Sequence, residues 1–180
     1  MPIGPLADKA VALKETVRYQ VAYLRRLRRH KRIRTQPDRP YGLIGFDDLK
    51  CIFVHVPKAG GLSVNEALFG TVGGGHRTVR EYKTIFGPVT YWRYFSFTVV
   101  RNPYARLVSA YTFLRQGGIT DEDRRFGAEQ LAGYATFADF VDDWLSEANL
   151  WSHWHFMPQV HFVCEGGEVA VDFVGRFERL

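Results

Sequence analysis

The chain has 180 residues, of which 46% are hydrophobic, 15% aromatic and 24% charged, so it can bury one core of ordinary size and is not intrinsically disordered. Two cysteines, Cys51 and Cys164, are too few for the disulfide framework of a small secreted domain, and neither belongs to a zinc-binding spacing. The formal net charge is +5, but residues 25–34 carry seven Lys/Arg and no acid, so the other 170 residues sum to −2. This balance argues against an extended nucleic-acid-binding face on the body of the protein.

The first 42 residues predict an amphipathic basic helix followed by a linker. Apolar residues recur at spacings of three and four from Leu6 to Ile33, which suits one stripe of a helix, and two prolines and a glycine in 35–42 end it. The basic segment 25–34 could bind an anionic polysaccharide or an acidic membrane surface, dock another chain, or simply be solvated. No specific nucleic-acid partner is predicted. The main domain is expected to span 43–180.

The lengths of the apolar runs lead to an expectation about where in the cell the protein is located. None approaches the roughly 20 residues that span a bilayer, and the N-terminus lacks the apolar region of a signal peptide. We therefore expect a cytoplasmic protein, with association at a membrane surface as an option.

Strand and helix patterns alternate beyond residue 43. Short β-branched apolar runs predict strands at 50–56, 94–100 and 169–174, and helices are predicted at 62–68, after Asn102-Pro103, and from Thr136 to about Ser146. This alternation favours an α/β fold with a mostly parallel sheet.

A glycine-containing turn links the first strand to its helix. Backbone N–H groups of such a turn can converge on one anion, and the lysine and the serine add further donors. The residues are Pro57, Lys58, Ala59, Gly60, Gly61, Leu62 and Ser63. An ordinary strand-to-helix turn is the alternative. The spacing is not that of a Walker A loop, because the lysine precedes the glycines.

Arg101 ends the second predicted strand. In open α/β sheets, ligands bind beyond the carboxyl ends of the strands, so an arginine there indicates an anion site. Ser109 follows eight residues later in the next helix. The alternative is that Arg101 pairs with a structural carboxylate and Ser109 fills space.

The two stretches together resemble the sulfotransferases that use 3'-phosphoadenosine 5'-phosphosulfate, in particular the carbohydrate enzymes related to the heparan sulfate 2-O- and chondroitin sulfotransferases. The turn matches the family's first motif, which holds the 5'-phosphosulfate. Arg101, Asn102, Pro103, Arg106, Ser109 and Tyr111 match its second motif. The resemblance implies a P-loop-like sulfotransferase fold and assigns the 3'-phosphate to Arg101 and Ser109. It also implies a co-substrate of 3'-phosphoadenosine 5'-phosphosulfate and no metal.

The chain departs from the family pattern in two places. Ala59 and Leu62 stand where hydroxyl residues are usual, so the backbone amides are expected to carry more of the binding. The family continues beyond the segment matched by Gly175 to Glu178, so we expect a domain truncated at its C-terminus.

His76 follows three glycines between the two motifs. In related sulfotransferases a histidine or glutamate in this interval takes the proton from the acceptor hydroxyl, so the resemblance assigns His76 as general base with Glu81 as the fallback. His153 and His155 lie among aromatic residues that suit a core or a sugar-binding groove. No third metal ligand accompanies them at a recognisable spacing, and no metal site is predicted.

These observations favour an enzyme. The predicted reaction moves a sulfuryl group from the donor to an acceptor hydroxyl on a carbohydrate, with Lys58 and the turn amides stabilising the developing charge. A non-catalytic nucleotide-binding relative and a P-loop kinase-like phosphotransferase are the alternatives. The kinase would need a Gly-Lys-[Ser/Thr] run and a magnesium-holding acid.

Overall fold

Three parallel strands form the central sheet. The computed structural model describes residues 32–35, 42–73 and 75–180. Its strands are β1 (Cys51–Val54), β2 (Phe95–Val100), β3 (Cys164–Glu165), β4 (Glu168–Val169) and β5 (Phe173–Arg176). The sheet order is β1-β2-β5, with Phe53 paired to Phe97 and Phe97 to Phe173. The predicted α/β class and parallel sheet are confirmed.

Helices surround this sheet. They are α1 (Ile44–Leu49), α2 (Gly61–Phe69), α3 (Val79–Phe86), α4 (Pro88–Arg93), α5 (Pro103–Arg115), α6 (Asp121–Phe126), α7 (Phe137–Asp139), α8 (Glu147–Leu150) and α9 (Gln159–Val163). The predicted start of α5 is confirmed, because the Asn102 side chain accepts hydrogen bonds from the backbone N–H groups of Tyr104 and Ala105.

Two of the predicted boundaries were wrong. The strand expected at 169–174 is divided: β4 pairs with β3 through a tight turn at Gly166 and Gly167, both with positive φ, and β5 begins only at Phe173. The helix expected from Thr136 to about Ser146 has its capping box, but after Asp139 it continues as a π-helical turn that ends at Trp144.

Aromatic packing positions α5. Phe140 is fully buried, with its ring centroid 4.7 Å from that of Tyr111, 5.1 Å from that of Trp144 and 5.5 Å from that of Phe156. Each aromatic pair adds about 0.5–1.5 kcal/mol beyond area burial. This cluster fixes α5 and the segment around Phe156 beside the carboxyl ends of β1 and β2.

Most of the N-terminal region falls outside the described residues. The predicted basic helix can be compared with the structure only at 32–35, which are helical. Within that piece Arg34 donates from Nε and Nη2 to the Asp47 carboxylate, both at 2.7 Å. One charge of the basic segment is therefore used in a contact with the domain.

Among residues 32–35, 42–73 and 75–180, no helix combines the length and the apolar character needed to cross a bilayer. The cytoplasmic location stays a prediction.

Candidate active site

The turn between β1 and α2 has an unusual backbone. Lys58 and Gly60 both have positive φ, at 64° and 80°. Gly60 is the N-cap and offers no side chain to the first helical turn, so the N–H groups of residues 61–63 remain available as donors. A bound anion would satisfy them.

Gly61 permits close packing under this turn. An added Cβ would lie 1.9 Å from Cδ2 of His55, and His55 itself is buried directly after β1. The turn therefore lies directly on the His55 ring, and only glycine allows that approach.

Lys58 points its ammonium group at an aromatic face. Its Nζ lies 3.6 Å from the ring centroid of Phe113, in a cation–π contact. Burial lowers the pKa of Lys58 to about 8; Asp123 opposes this shift and Arg101 adds to it. The side chain is thus still largely protonated at neutral pH, with less hydration than an exposed lysine.

Arg101 connects the two sequence motifs. Its Nη1 donates to the Lys58 carbonyl oxygen at 3.3 Å, and its guanidinium lies 4.4 Å from the ring centroid of Phe177. Its own peptide is held by Gln159, which accepts from the Arg101 N–H at 3.0 Å and donates to the carbonyl at 2.8 Å. The guanidinium is therefore positioned at the same sheet edge as the turn.

Not all of the predicted site residues lie equally deep. Ala59 is buried, whereas Leu62 and Ser63 are exposed in the first turn of α2. Ser109 is half-buried on α5.

Arg106 has a role that the sequence interpretation did not assign. It is buried, and its two terminal nitrogens donate to four backbone carbonyls. These belong to Pro57 at 3.5 Å, His155 at 3.0 Å, Phe156 at 3.3 Å and Met157 at 2.8 Å. Burial lowers the pKa of Arg106 to about 10, so it keeps its charge at neutral pH. Arg106 therefore ties the turn to the segment that contains His155.

His76 lies against two other histidines. Its ring centroid is 4.5 Å from that of His55 and 5.3 Å from that of His155. Its Nδ1 is 3.4 Å from the His55 carbonyl oxygen. With the proton on Nδ1, His76 donates to that carbonyl and leaves Nε2 free to accept a proton. Burial is the main cause that lowers the pKa of His76, so the imidazole is neutral in the resting protein.

Glu81, the fallback base, is engaged in a helix cap. Its Oε2 accepts from the Thr78 N–H at 2.9 Å and from the Thr78 hydroxyl at 3.1 Å. This capping box begins α3.

The aromatic-rich segment contains two buried histidines that lie beside a carboxylate, in addition to its core side chains. His153 and His155 are buried, and the structure brings Asp123 to them, with Oδ1 at 3.4 Å and 3.5 Å from their respective Nε2 atoms. Sequence spacing gave no signal for Asp123, because it lies 30 residues before His153. The absence of a metal stays a prediction.

Acid should destabilise the fold through its buried histidines. Burial lowers the pKa of both His55 and His153 to about 4, whereas the unfolded chain binds these protons near pH 6.5. The stability that depends on these imidazoles being neutral is complete above pH 6.5 and is lost as the pH falls towards 4. Between pH 7 and pH 5, the linked protonation of each histidine should lower the free energy of unfolding by about 2 kcal/mol. Urea unfolding at the two pH values measures this, and equal stabilities would show that these imidazoles are not buried.

The sequence of this chain is similar to those of known proteins. A family model described as "Sulfotransferase family" matches residues 42–180. Similar proteins include carbohydrate sulfotransferase 14 of Mus musculus and of Homo sapiens, each 35% identical over 99 residues, or 48% of this chain and 26% of the relative. That of Danio rerio is 35% identical over 101 residues, 48% of this chain and 27% of the relative. The chain thus matches about a quarter of these relatives' length. No solved structure gives a significant match.

Proposed function

Because the chain belongs to the sulfotransferase family, we propose that it transfers a sulfuryl group from 3'-phosphoadenosine 5'-phosphosulfate to an acceptor hydroxyl. The observation that carries this proposal is the hydrogen bond from Arg101 to the Lys58 carbonyl, which joins the two predicted anion-binding motifs at one sheet edge. The acceptor class rests on the relatives, which are named carbohydrate sulfotransferases. We propose a carbohydrate hydroxyl.

The turn supplies the electrostatic part of the reaction. In sulfuryl transfer an acceptor oxygen forms a bond to sulfur while the bond from sulfur to the phosphate oxygen breaks, and negative charge grows on the leaving phosphate. The N–H groups of residues 61–63 and the Lys58 ammonium fit that anion. Their positions are set before the substrate arrives, because Gly61 lies on the His55 ring and Arg106 holds Pro57.

His76 supplies the proton acceptor in this proposal. The acceptor hydroxyl gives its proton to Nε2 as the oxygen–sulfur bond forms, and the electron pair of the broken bond stays on the phosphate of adenosine 3',5'-bisphosphate. The His55 carbonyl orients the imidazole through Nδ1. The Trp154 ring, 6.5 Å from the His76 ring, is half-buried and suits contact with a sugar face.

One part of the proposal lies away from this centre. The basic segment 25–34 would contact an anionic polysaccharide, although Arg34 within it is already paired with Asp47.

Arg101→Ala should weaken binding of adenosine 3',5'-bisphosphate by about tenfold or more. A charged hydrogen bond to phosphate is worth about 1.5–3 kcal/mol, and the mutant also loses the contact that joins the motifs. Calorimetric titration of the folded variant measures the change. Arg93→Ala, which removes an exposed arginine at the end of α4, is the control. Unchanged affinity in Arg101→Ala would remove Arg101 from the nucleotide site.

The reaction itself is tested by transfer of label. The protein is incubated with donor carrying ³⁵S and with desulfated chondroitin or desulfated heparan sulfate, and a parallel reaction contains ATP labelled at the γ-phosphate with magnesium. We expect ³⁵S on a polysaccharide and no ³²P transfer. Binding of adenosine 3',5'-bisphosphate without transfer would favour the non-catalytic relative, and ³²P transfer would favour the kinase-like alternative.

A further inference from the structure

Asp123 is a buried carboxylate with two separate tasks. It is 2% exposed. Oδ2 accepts from the N–H groups of Thr120 at 2.9 Å and Ile119 at 3.1 Å, in the capping box that begins α6. Oδ1 faces the Nε2 atoms of His153 and His155 at 3.4 Å and 3.5 Å. The cap explains Oδ2 but does not explain why a second oxygen is directed at two imidazoles.

The position of the proton on neutral His153 can be assigned. Nδ1 of His153 accepts from the backbone N–H of His155 at 3.3 Å, so the proton of neutral His153 is on Nε2 and points at Asp123. The three side chains are of the type that binds metals, and their atoms lie within 4.8 Å of one another. A metal would need the Nε2 lone pair and a proton on Nδ1, where a backbone N–H already points. The geometry therefore favours the imidazole N–H of His153 directed at the Asp123 carboxylate.

This group is continuous with the catalytic site. The His155 ring centroid is 5.3 Å from that of His76 and 4.8 Å from that of Phe113, whose ring carries the Lys58 ammonium. The charged and titratable groups around His155 come from four places. They are Asp123 on α6, His153 two residues before His155 in the chain, Lys58, His55 and His76 around the turn, and Arg106 on α5. Asp123 is the one carboxylate among these groups.

We propose that Asp123 is a positioning residue for sulfuryl transfer, which supplies through His155 the negative charge that allows His76 to accept the acceptor proton. This inference rests on the proposed function. Uptake of that proton places an imidazolium in a buried region that already holds the Lys58 and Arg106 cations. A carboxylate next to His155 offsets this charge, and the contact between Nε2 of His155 and Oδ1 of Asp123 keeps the ring oriented beside His76. The directions of the pKa shifts agree, since Asp123 raises the pKa of both His76 and His155 against the effect of burial.

The chain contains a matched control for the capping task. Asp139 occupies the same capping-box position in α7, accepting from the Thr136 N–H at 2.9 Å and donating its own N–H to the Thr136 hydroxyl at 3.1 Å. The corresponding distances at Asp123 are 2.9 Å and 3.1 Å. Asp139 is exposed. Asp139→Asn therefore changes the same cap, whereas only Asp123→Asn also removes the charge beside the histidines.

The first readout needs no activity. Titration of the ¹⁵N-labelled imidazole of His155 followed by nuclear magnetic resonance should show its apparent pKa falling by about one unit in Asp123→Asn and unchanged in Asp139→Asn. His153 should carry its proton on Nε2 in the wild type. An identical titration of His155 in Asp123→Asn and in the wild type would overturn the inference. So would stoichiometric Co²⁺ binding that gives visible absorption bands and is lost in Asp123→Asn, because the cluster would then be a metal site.

The second readout separates this inference from the proposed function. In Asp123→Asn we expect kcat to fall about tenfold, the acid limb of its pH profile to move to lower pH, and KM for the donor to stay unchanged. His155→Gln should give the same shift, and it serves if Asp123→Asn does not fold. If the wild type transfers no sulfuryl group, the proposed function fails, and the histidine titrations alone decide the role of Asp123. Normal turnover with an unmoved pH profile in both variants would overturn that role.

Discussion

His76→Ala should lower the turnover of sulfuryl transfer by about 10²- to 10⁴-fold while leaving the affinity for adenosine 3',5'-bisphosphate nearly unchanged. General-base assistance has that magnitude, and the Nε2 atom of His76 is the nitrogen left free when Nδ1 donates to the His55 carbonyl. Turnover is measured with ³⁵S-labelled donor and affinity by calorimetry. His161→Ala is the control, because His161 is exposed on α9.

The two measurements distinguish the roles open to His76. Loss of nucleotide affinity in His76→Ala would make it a binding residue. Turnover near that of the wild type would transfer the role to Glu81, whose carboxylate would then have to leave the Thr78 cap. The combination of retained affinity and lost turnover supports the base.

Arg106→Ala should destabilise the fold by about 3–5 kcal/mol. Truncation removes a buried cation and leaves carbonyl groups of Pro57, His155 and Met157 without their donor, and unsatisfied buried groups each cost about 1–3 kcal/mol. Urea unfolding measures the loss. The proposed active site should be affected with the fold, because Arg106 connects the turn to the His155 segment.

Arg115→Ala provides the comparison for this measurement. Arg115 lies on the same helix and also donates to backbone carbonyls, those of Leu131 and Tyr134, but it is exposed. Its loss should cost less than about 1 kcal/mol, since water replaces the donor. Equal effects of the two substitutions would contradict a special role for Arg106, and recovery of Arg106→Ala only as unfolded protein would agree with it.

Short sequence patterns predicted the elements whose formation depends on residues close together in the chain. The β1 and β2 strands, the cap of α5 by Asn102 and the turn that contains Lys58 each follow from residues within one short segment. The boundary of β5 did not, because it depends on pairing with a distant strand. Asp172 accepts hydrogen bonds from the Ser96 N–H and hydroxyl, and this contact spans 76 residues of sequence.

The site residues divide in the same way, into those that short motifs identify and those that distant contacts bring into place. Lys58, Arg101 and His76 were identified from motifs, and the structure brings Arg101 into contact with Lys58 and His76 against His55. Arg106 matched the family motif without a role, since its four acceptors lie about 50 residues away in sequence. Asp123 was not identified from the sequence, because its second oxygen meets the histidines only after folding.

The nucleotide site is tested most directly by calorimetric titration of the 180-residue chain with adenosine 3',5'-bisphosphate, in parallel with adenosine 5'-phosphate and with ATP and magnesium. In the proposed site the N–H groups of the turn bind the phosphate at the 5' end of the nucleoside and Arg101 binds the 3'-phosphate, and neither contact requires a metal. We predict one site for adenosine 3',5'-bisphosphate without added metal, and binding at least about tenfold weaker when the 3'-phosphate is absent. Equal binding of adenosine 5'-phosphate, or tighter binding of ATP with magnesium, would contradict the account.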